Sequence, residues 1–506
     1  MSVAPGAGGG DLIPPGEGAS GIVFDVTDYG AKGDGTTDDT AAIQAALNAA
    51  STGGDVFVPY TSSGYVCGQI TIPPGVRLLF ANSAKLIAPA AAMTDSWVKA
   101  KAAVVHNGTS VLNGTFDASA ITSMGTGDQA VLDFGGATSI PNVRIEKNRI
   151  LSAPYHGIFV KESTYTTEKK WVVGNSIEQF GIVATGYGIY ADYCGSLEVR
   201  DNFVLAGSTP YDGIELGHAG SAWLTTNATM LCDGNVLLGT GIQFPFSDGA
   251  IITNNTVIDS TEGIQNDTNT ADHVTITSNK LVNITPASGY AGIRVAGSYS
   301  TIVGNDVQVS TGDGIAGTAL YYSTVADNVI TSTAAAANGS AINDGSGGGR
   351  CIISGNIVYS PASGQGFSYL ITTTGDYHVV TANNTVVGSL DGINNSGGYS
   401  VFTQNMLQPF GTPVPAAGSN TNRFSDNFGY NPTGAQTAPA VPASATALTN
   451  PFPFDCTVAI TGTTTVTVGG IEVASIAGGP SPVFVGAGQT ITLTYTTAPT
   501  WAWTGH

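Results

Sequence analysis

Carboxylates set in a repeating frame are the residues of this chain best suited to chemistry. In "TPYDGIELGHAG", residues 209–220, Glu215 directly follows a Gly-Ile pair and Asp212 stands three residues before it. Asp192, in "GYGIYADYC", lies three residues after an earlier Gly-Ile pair. Two positioned carboxyl groups can protonate a leaving oxygen and activate either a water or the sugar itself. Glycosidic bonds are cleaved this way, with carboxyls ~5–5.5 Å apart for retention and ~6.5–9.5 Å apart for inversion. Whether Asp192 and Glu215 meet depends on what the Gly-Ile pairs are.

The pairs recur as Gly157-Ile158, Gly188-Ile189, Gly213-Ile214, Gly241-Ile242, Gly263-Ile264, Gly292-Ile293, Gly314-Ile315 and Gly392-Ile393. Interleaved with most of them is a second series, apolar alternation ending in Asn-x-[Ile/Val/Leu], as in "VRIEKNRI", "WVVGNSI" and "VTITSNKL". Its asparagines are Asn148, Asn175, Asn202, Asn235, Asn255, Asn279, Asn305, Asn328, Asn356, Asn384 and Asn405, spaced 20 to 33 residues apart. Each period therefore holds at least two short strands with period-two alternation. One such unit cannot bury its own apolar face, but units stacked every ~4.8 Å bury a continuous Val/Ile/Leu column. The fold class expected is all-β, a parallel β-helix. The asparagines are expected to be structural, tolerating left-handed turns and hydrogen-bonding along the column.

Alternation then sorts the side chains. The position after each Ile points outward and reads Phe159, Tyr190, Glu215, Gln243, Gln265, Arg294, fading to Ala316, Asn343, Ser368 and Asn394. Two positions further, the column reads Lys161, Asp192, Gly217, Pro245, Asp267. On adjacent rungs and two residues out of register, Asp192 and Glu215 should have Cα atoms ~8 Å apart. Asp212, Glu262 and Asp267 are alternatives to Asp192 as the second carboxyl. The longest gap in the asparagine series follows Glu215 and carries His218 and Trp223, the latter a plausible platform for stacking a sugar. The bland reading of these acids is a solvated β-helix exterior. Tyr155-His156 is placed in a turn.

Composition narrows the partners. With 16 Lys+Arg against 36 Asp+Glu, a formal charge of −20, nucleic acid is not expected as a ligand. The N-terminus lacks the basic and apolar regions of a signal peptide, and no uninterrupted apolar run suits a membrane span. Cys67, Cys194, Cys232, Cys351 and Cys456 show neither zinc spacing nor a disulfide framework. The domains read as an N-terminal arm (1–21), a capped β-helix (22–430), a linker (431–448) and a small β-sandwich (449–506). Trp501 and Trp503 share one strand face in the last, where packing against the β-helix or a neighbouring subunit is favoured over glycan contact. In the cap, Thr37 or Asp38 is placed to N-cap a helix whose Ile43, Ala46, Leu47 and Ala50 form one face.

"VTDYGAKGDGTTDDTAAIQAAL", followed by "GGDVFVP" and "IPPGVRLLF", closely resembles the start of the pectate-lyase-like superfamily of right-handed parallel β-helices. By motif the resemblance covers residues 22–90, and by repeat pattern it extends to 430. The superfamily holds polysaccharide lyases, polygalacturonase-type hydrolases, alginate epimerases and phage tailspikes, so the resemblance implies a polysaccharide ligand without fixing a reaction. "GHAG" at His218 is similar to a Gly-His-Gly motif of the polygalacturonase-type enzymes, but their Asn-Thr-Asp and Arg-Ile-Lys motifs are absent. The epimerase Tyr-Gly-Phe-Asp-Pro-His signature is also missing.

The expected function is polysaccharide cleavage by a glycoside hydrolase or intramolecular glycosyl transferase. Glu215, Asp192 and Asp212 are the candidate catalysts. Tyr190, His218, Trp223, Gln243, Gln265, Glu262, Asp267, Arg294 and Lys161 are the candidate binding residues. No metal or cofactor is expected, except calcium if the reaction is that of a lyase, which needs a base and positive charge where Lys161 and Arg294 are nearly alone. The other alternative is a phage tailspike or glycan-binding adhesin, extracellular or virion-associated, with a homotrimer as its usual assembly.

Overall fold

The computed structural model describes residues 22–125, 128–163, 167–217, 230–245, 247–266, 271–318, 320–334, 336, 338–345, 348–360, 366–387, 391–407, 416–417, 421–427 and 434–505. His218, Trp223 and Asp267 lie outside the described residues. The chain divides into two compact units, residues 1–211 and 212–506.

In the first unit, β-branched and aromatic residues at alternate positions build three parallel sheets. Val111, Ile145, Val172 and Val199 stand in register in one sheet. Phe116, Ile150, Ile177 and Val204 do so in the second, and Leu132, Ile158 and Ile189 in the third. All are buried, so each coil places apolar side chains on top of the last. One end carries the expected helix, Thr40–Ala49, with Ile43, Ala46, Leu47 and Ala50 all 0% exposed. Its N-cap position is Asp39 rather than Thr37 or Asp38. The Asp39 carboxylate accepts instead from Lys32 N (2.6 Å) and Gly33 N (3.0 Å), holding the glycine-rich loop. Asp38 Oδ1 accepts from Thr40 N at 3.0 Å, which satisfies an otherwise unpaired helical N–H.

The second unit repeats the plan. Ile214, Ile242, Ile264, Ile293, Ile315, Ile342, Ile371 and Ile393 follow one another in register along its third sheet. The glycine of each pair is now explained. A Cβ on Gly213 would lie 2.6 Å from Leu237 Cδ2, and one on Gly292 2.5 Å from Val307 Cγ1. The backbone thus approaches the packed interior more closely than any side chain permits.

The asparagines do form ladders. In the first unit Asn175 Oδ1 accepts from Asn148 N (3.0 Å) and Nδ2 (3.1 Å), and Asn202 accepts likewise from Asn175. In the second the chain runs through Asn235, Asn255, Asn279, Asn305, Asn328, Asn356, Asn383, Asn405 and Asn427. Two expectations need correction. The ladder residue is Asn383, not Asn384, which lies in the strand Asn384–Val387. The left-handed turn residue is the one before each asparagine, such as Lys147 (φ 55°), Asn254 (φ 55°), Asp327 (φ 55°) and Ala382 (φ 56°). Asparagine is used for its amide, which satisfies buried backbone groups, and not for its tolerance of that conformation.

The C-terminal strands, read from the sequence as a small β-sandwich, form an antiparallel sheet. Cys456–Val468 pairs with Ile471–Val485, Thr490–Thr494 and Thr500–Gly505 in one hydrogen-bonded network around Val458, Ile460, Ile491, Leu493 and Trp503. Residues expected as linker contribute to it: Gly434–Gln436 pairs with the last strand, and Ala447–Thr449 with Thr490–Thr494. Trp503 is 0% exposed, and Trp501 Nε1 donates to Pro439 O at 2.8 Å. Both indoles therefore pack, but within the core of these strands themselves, where the sequence suggests packing against the β-helix or a neighbouring subunit. The five cysteines are free and buried. No helix among the described residues is long and apolar enough to cross a membrane.

Candidate functional site

In the first unit, strands His156–Lys161 and Ile189–Asp192 align Phe159 with Tyr190 and Lys161 with Asp192, the register read from the sequence. Lys161 Nζ lies 2.7 Å from Asp192 Oδ2. Burial pulls the ammonium pKa down, but the hydrogen bond and charge of Asp192 outweigh it, so Lys161 sits above the usual lysine range. Asp192 is only 6% exposed and is held by this cation. Tyr190 is sandwiched between Phe159 (4.9 Å, 14°) and Tyr187 (4.6 Å, 19°), with Tyr211 edge-on to Tyr187 at 5.2 Å and 54% exposed. His156 is not in a turn. It begins the strand, buried, and its Nδ1 accepts from Tyr187 N at 3.0 Å. That bond assigns the proton of the neutral ring to Nε2, which lies 4.0 Å from Asp128 Oδ1.

In the second unit the outward column is Glu215, Gln243, Gln265, Arg294, Ala316, Asn343, Thr372 and Asn394. Thr372 replaces the expected Ser368, because Leu370-Ile371 fills the Gly-Ile place without a glycine to mark it. Glu215 is half-buried between buried Ile214 and Leu216. Gln243 and Gln265, expected to face solvent, are 5% and 0% exposed; Gln265 Nε2 turns back to donate to Ala291 O.

A second acidic column precedes the Gly-Ile pairs. With those isoleucines in register, Asp212, Thr240, Glu262, Ala291 and Asp313 occupy equivalent places on successive rungs, the last two directly paired. Acids thus stand on alternate rungs with a small residue between. Asp212 is 0% exposed. Glu262 is half-buried, and its Oε2 is buried without a hydrogen bond among the described residues. Two strand spacings of ~4.8 Å separate Glu262 from Asp313.

Asp313 borders an open cleft of about 540 Å³. Ser288, Gly289, Gly312, Ala316, Gly317 and Gly339 make room for it, while Tyr290, Arg294 and Asn343 bring polar groups to its walls. Asp313 Oδ1 accepts from Ser340 N (2.5 Å) and Oδ2 from Asn343 Nδ2 (3.0 Å). Both bonds favour the carboxylate, yet burial outweighs them and pushes Asp313 above the ordinary aspartate range. A carboxyl with raised pKa beside a cleft can deliver a proton. Sequence reading singled out Arg294 and Glu262 but passed over Asp313, Tyr290 and Asn343. The available signal was the Asp-Gly-Ile triplet, common to residues 212–214, 313–315 and 391–393. Among the described residues, no group of three or more His, Cys, Asp or Glu is placed to hold a metal ion.

Comparison with known proteins agrees with the architecture. Residues 102–295 match the family described as right handed beta helix region, and residues 224–433 that described as periplasmic copper-binding protein (NosD). The mannuronan C5-epimerase AlgE3 of Azotobacter vinelandii is 35% identical over 113 residues, 21% of this chain and 6% of the epimerase. The chain thus spans a small fraction of that relative. Among solved structures, the catalytic unit of a GH87 α-1,3-glucanase from Streptomyces thermodiastaticus is similar at TM-score 0.48 and 15% identity, covering 78% of this chain and 70% of that one. The tailspike of E. coli bacteriophage HK620 is similar at TM-score 0.48 and 12% identity over 96% and 93%. The Streptococcus pneumoniae surface adhesin PfbA is similar at 0.42 and 14% over 75% and 92%. The matched regions are similar to right-handed β-helix proteins, in line with the stacked parallel sheets of this chain.

Proposed function

We propose that this protein cleaves glycosidic bonds of a polysaccharide by inversion, with Asp313 as general acid and Glu262 as general base. The observation that carries this reading is Asp313, a carboxyl raised in pKa by burial at the edge of an open cleft. Inversion needs carboxyls ~6.5–9.5 Å apart; two strand spacings of ~4.8 Å separate the two backbones by ~9.6 Å, and a small lean of the side chains toward each other brings the carboxyls into that range. The acid protonates the leaving oxygen while the base activates a water on the opposite face. Arg294, Tyr290 and Asn343 bind sugar hydroxyls from the cleft walls, and half-buried Glu215 offers a further contact on the outward column. The match to a mannuronan epimerase supports a glycan as ligand. An extracellular or virion-associated setting, and a trimer, fit this reading.

The test is digestion of bacterial, fungal and plant polysaccharides with assay of reducing ends. A hydrolase releases them without the ultraviolet absorbance of unsaturated uronates.

A second reading rests on the first unit. Lys161, held protonated by Asp192 and 5.2 Å from the Tyr193 ring, could neutralise a uronate carboxylate while a neighbouring group removes the adjacent proton. A lyase of this kind raises the unsaturated-uronate absorbance, and Lys161→Met abolishes the rise.

A further inference from the structure

Two residues before each first-sheet strand of the second unit, from Thr275–Thr277 to Val401–Thr403, stands a π-bearing side chain: His273, Tyr299, Tyr322, Arg350, Tyr377 and Tyr399. His273 stacks on Tyr299 (5.0 Å, 10°), and Tyr299 on Tyr322 (5.1 Å, 6°). The Arg350 guanidinium lies 5.2 Å from the Tyr322 ring and 5.4 Å from that of Tyr377, which stacks on Tyr399 (5.1 Å, 11°). The column is thus unbroken over six rungs.

Nothing in the packing requires these side chains. All six lie at the surface, with Tyr299, Tyr322, Tyr377 and Tyr399 between 47% and 57% exposed. All six also adopt left-handed backbone, with φ from 51° to 63°, where Gly, Asn or Asp fits with less strain. The backbone explains the turn: each N–H from His273 to Tyr377 donates to the carbonyl just before the next member of the column. It does not explain five aromatic rings and a guanidinium.

We propose that this column is a binding track for an extended neutral polysaccharide. Each ring covers its neighbour's face, so solvent meets ring edges, phenol hydroxyls and one guanidinium. Ring edges are electropositive and the other groups are donors, a surface complementary to a row of sugar oxygens. The repeat of one ring per rung, 5.0–5.1 Å between stacked centroids, is close to the length of one pyranose unit. Asp272 and Asp376 adjoin His273 and Tyr377, and the chain carries a net charge of −20, which disfavours a polyanion. The track shares only its class of ligand with the proposed cleavage, and involves none of the cleft residues.

Native gels containing dissolved β-1,4-glucan, β-1,3-glucan, galactomannan or arabinoxylan test it, with the full chain as wild type, Tyr299→Asn/Tyr377→Asn and Asp313→Asn. The wild type should be retarded by at least one polysaccharide, and the double variant should bind it at least tenfold more weakly. The double variant's Tm should not fall, because Asn accepts the left-handed conformation. Asp313→Asn, which removes the proposed acid, should be retarded like the wild type. Equal retardation of the double variant, or no retardation of the wild type by any of the four, overturns the proposal. So does self-association of the wild type, in sedimentation, that the double variant loses while no polysaccharide slows either protein. In that case the column joins copies of this chain.

Discussion

Asn343 Nδ2 donates to Asp313 Oδ2 at 3.0 Å, across rungs whose outward column drops to an alanine, Ala316, between Arg294 and Asn343. The cleft and its raised acid therefore come from one local arrangement. Asn343→Ala removes a donor that favours the ionised carboxyl, so the Asp313 pKa should rise further. Since the acid form is the reactive one, the alkaline limb of the kcat/KM profile should move to higher pH. An unmoved limb separates Asp313 from the proton transfer.

Lys170 and Glu162 form an ion pair at 2.9 Å with both side chains 0% exposed. Lys170→Met leaves the Glu162 charge buried and should cost ~3–5 kcal/mol in urea denaturation, whereas replacing both partners with apolar residues of similar volume should cost far less. Similar losses for the single and double variants would point to packing instead.

His378 Nε2 lies 2.9 Å from Asp344 Oδ2, both buried. Burial alone lowers the imidazole pKa, but the Asp344 carboxylate 2.9 Å away, with a smaller contribution from Cys351, more than offsets it, raising His378 to about 9. A raised folded-state pKa stabilises fully below the unfolded value of ~6.5 and is lost as pH climbs through the folded one. The wild type should lose Tm between pH 7 and 9.5, and His378→Gln should flatten that part of the curve. A parallel decline in both assigns it to other groups.

Asn305 accepts from Asn279 N (3.0 Å) and Nδ2 (3.0 Å) inside the ladder, so Asn305→Ala strands buried donors and should cost ~1–3 kcal/mol each. Asn384→Ala, one residue off the ladder, should stay near ±0.5 kcal/mol. Urea midpoints for the two variants compare them directly.

That contrast marks what the sequence could carry. The inward isoleucines and outward columns were legible because alternation and stacking leave one register that buries every branched side chain. "TANNTV" offers two adjacent asparagines, and only the left-handed turn at Ala382 decides between them, a choice made by backbone rather than composition. Glu215 and Arg294 stood out because a charge directly follows Gly-Ile. Asp313 precedes its pair, a place that period-two counting assigns to the interior. It is half-buried at a cleft edge instead. Burial of Gln243 and Gln265 was equally hidden, because alternation gives a face and not its depth.

The anomeric configuration of the first product tests the central claim most directly. Proton NMR of a digest should show the newly released reducing end with its configuration inverted relative to the cleaved linkage, and Asp313→Asn should slow release ~10²–10⁴-fold. Retained configuration, or an Asp313→Asn variant that cleaves at the wild-type rate, contradicts the assignment of Asp313 and Glu262 as acid and base.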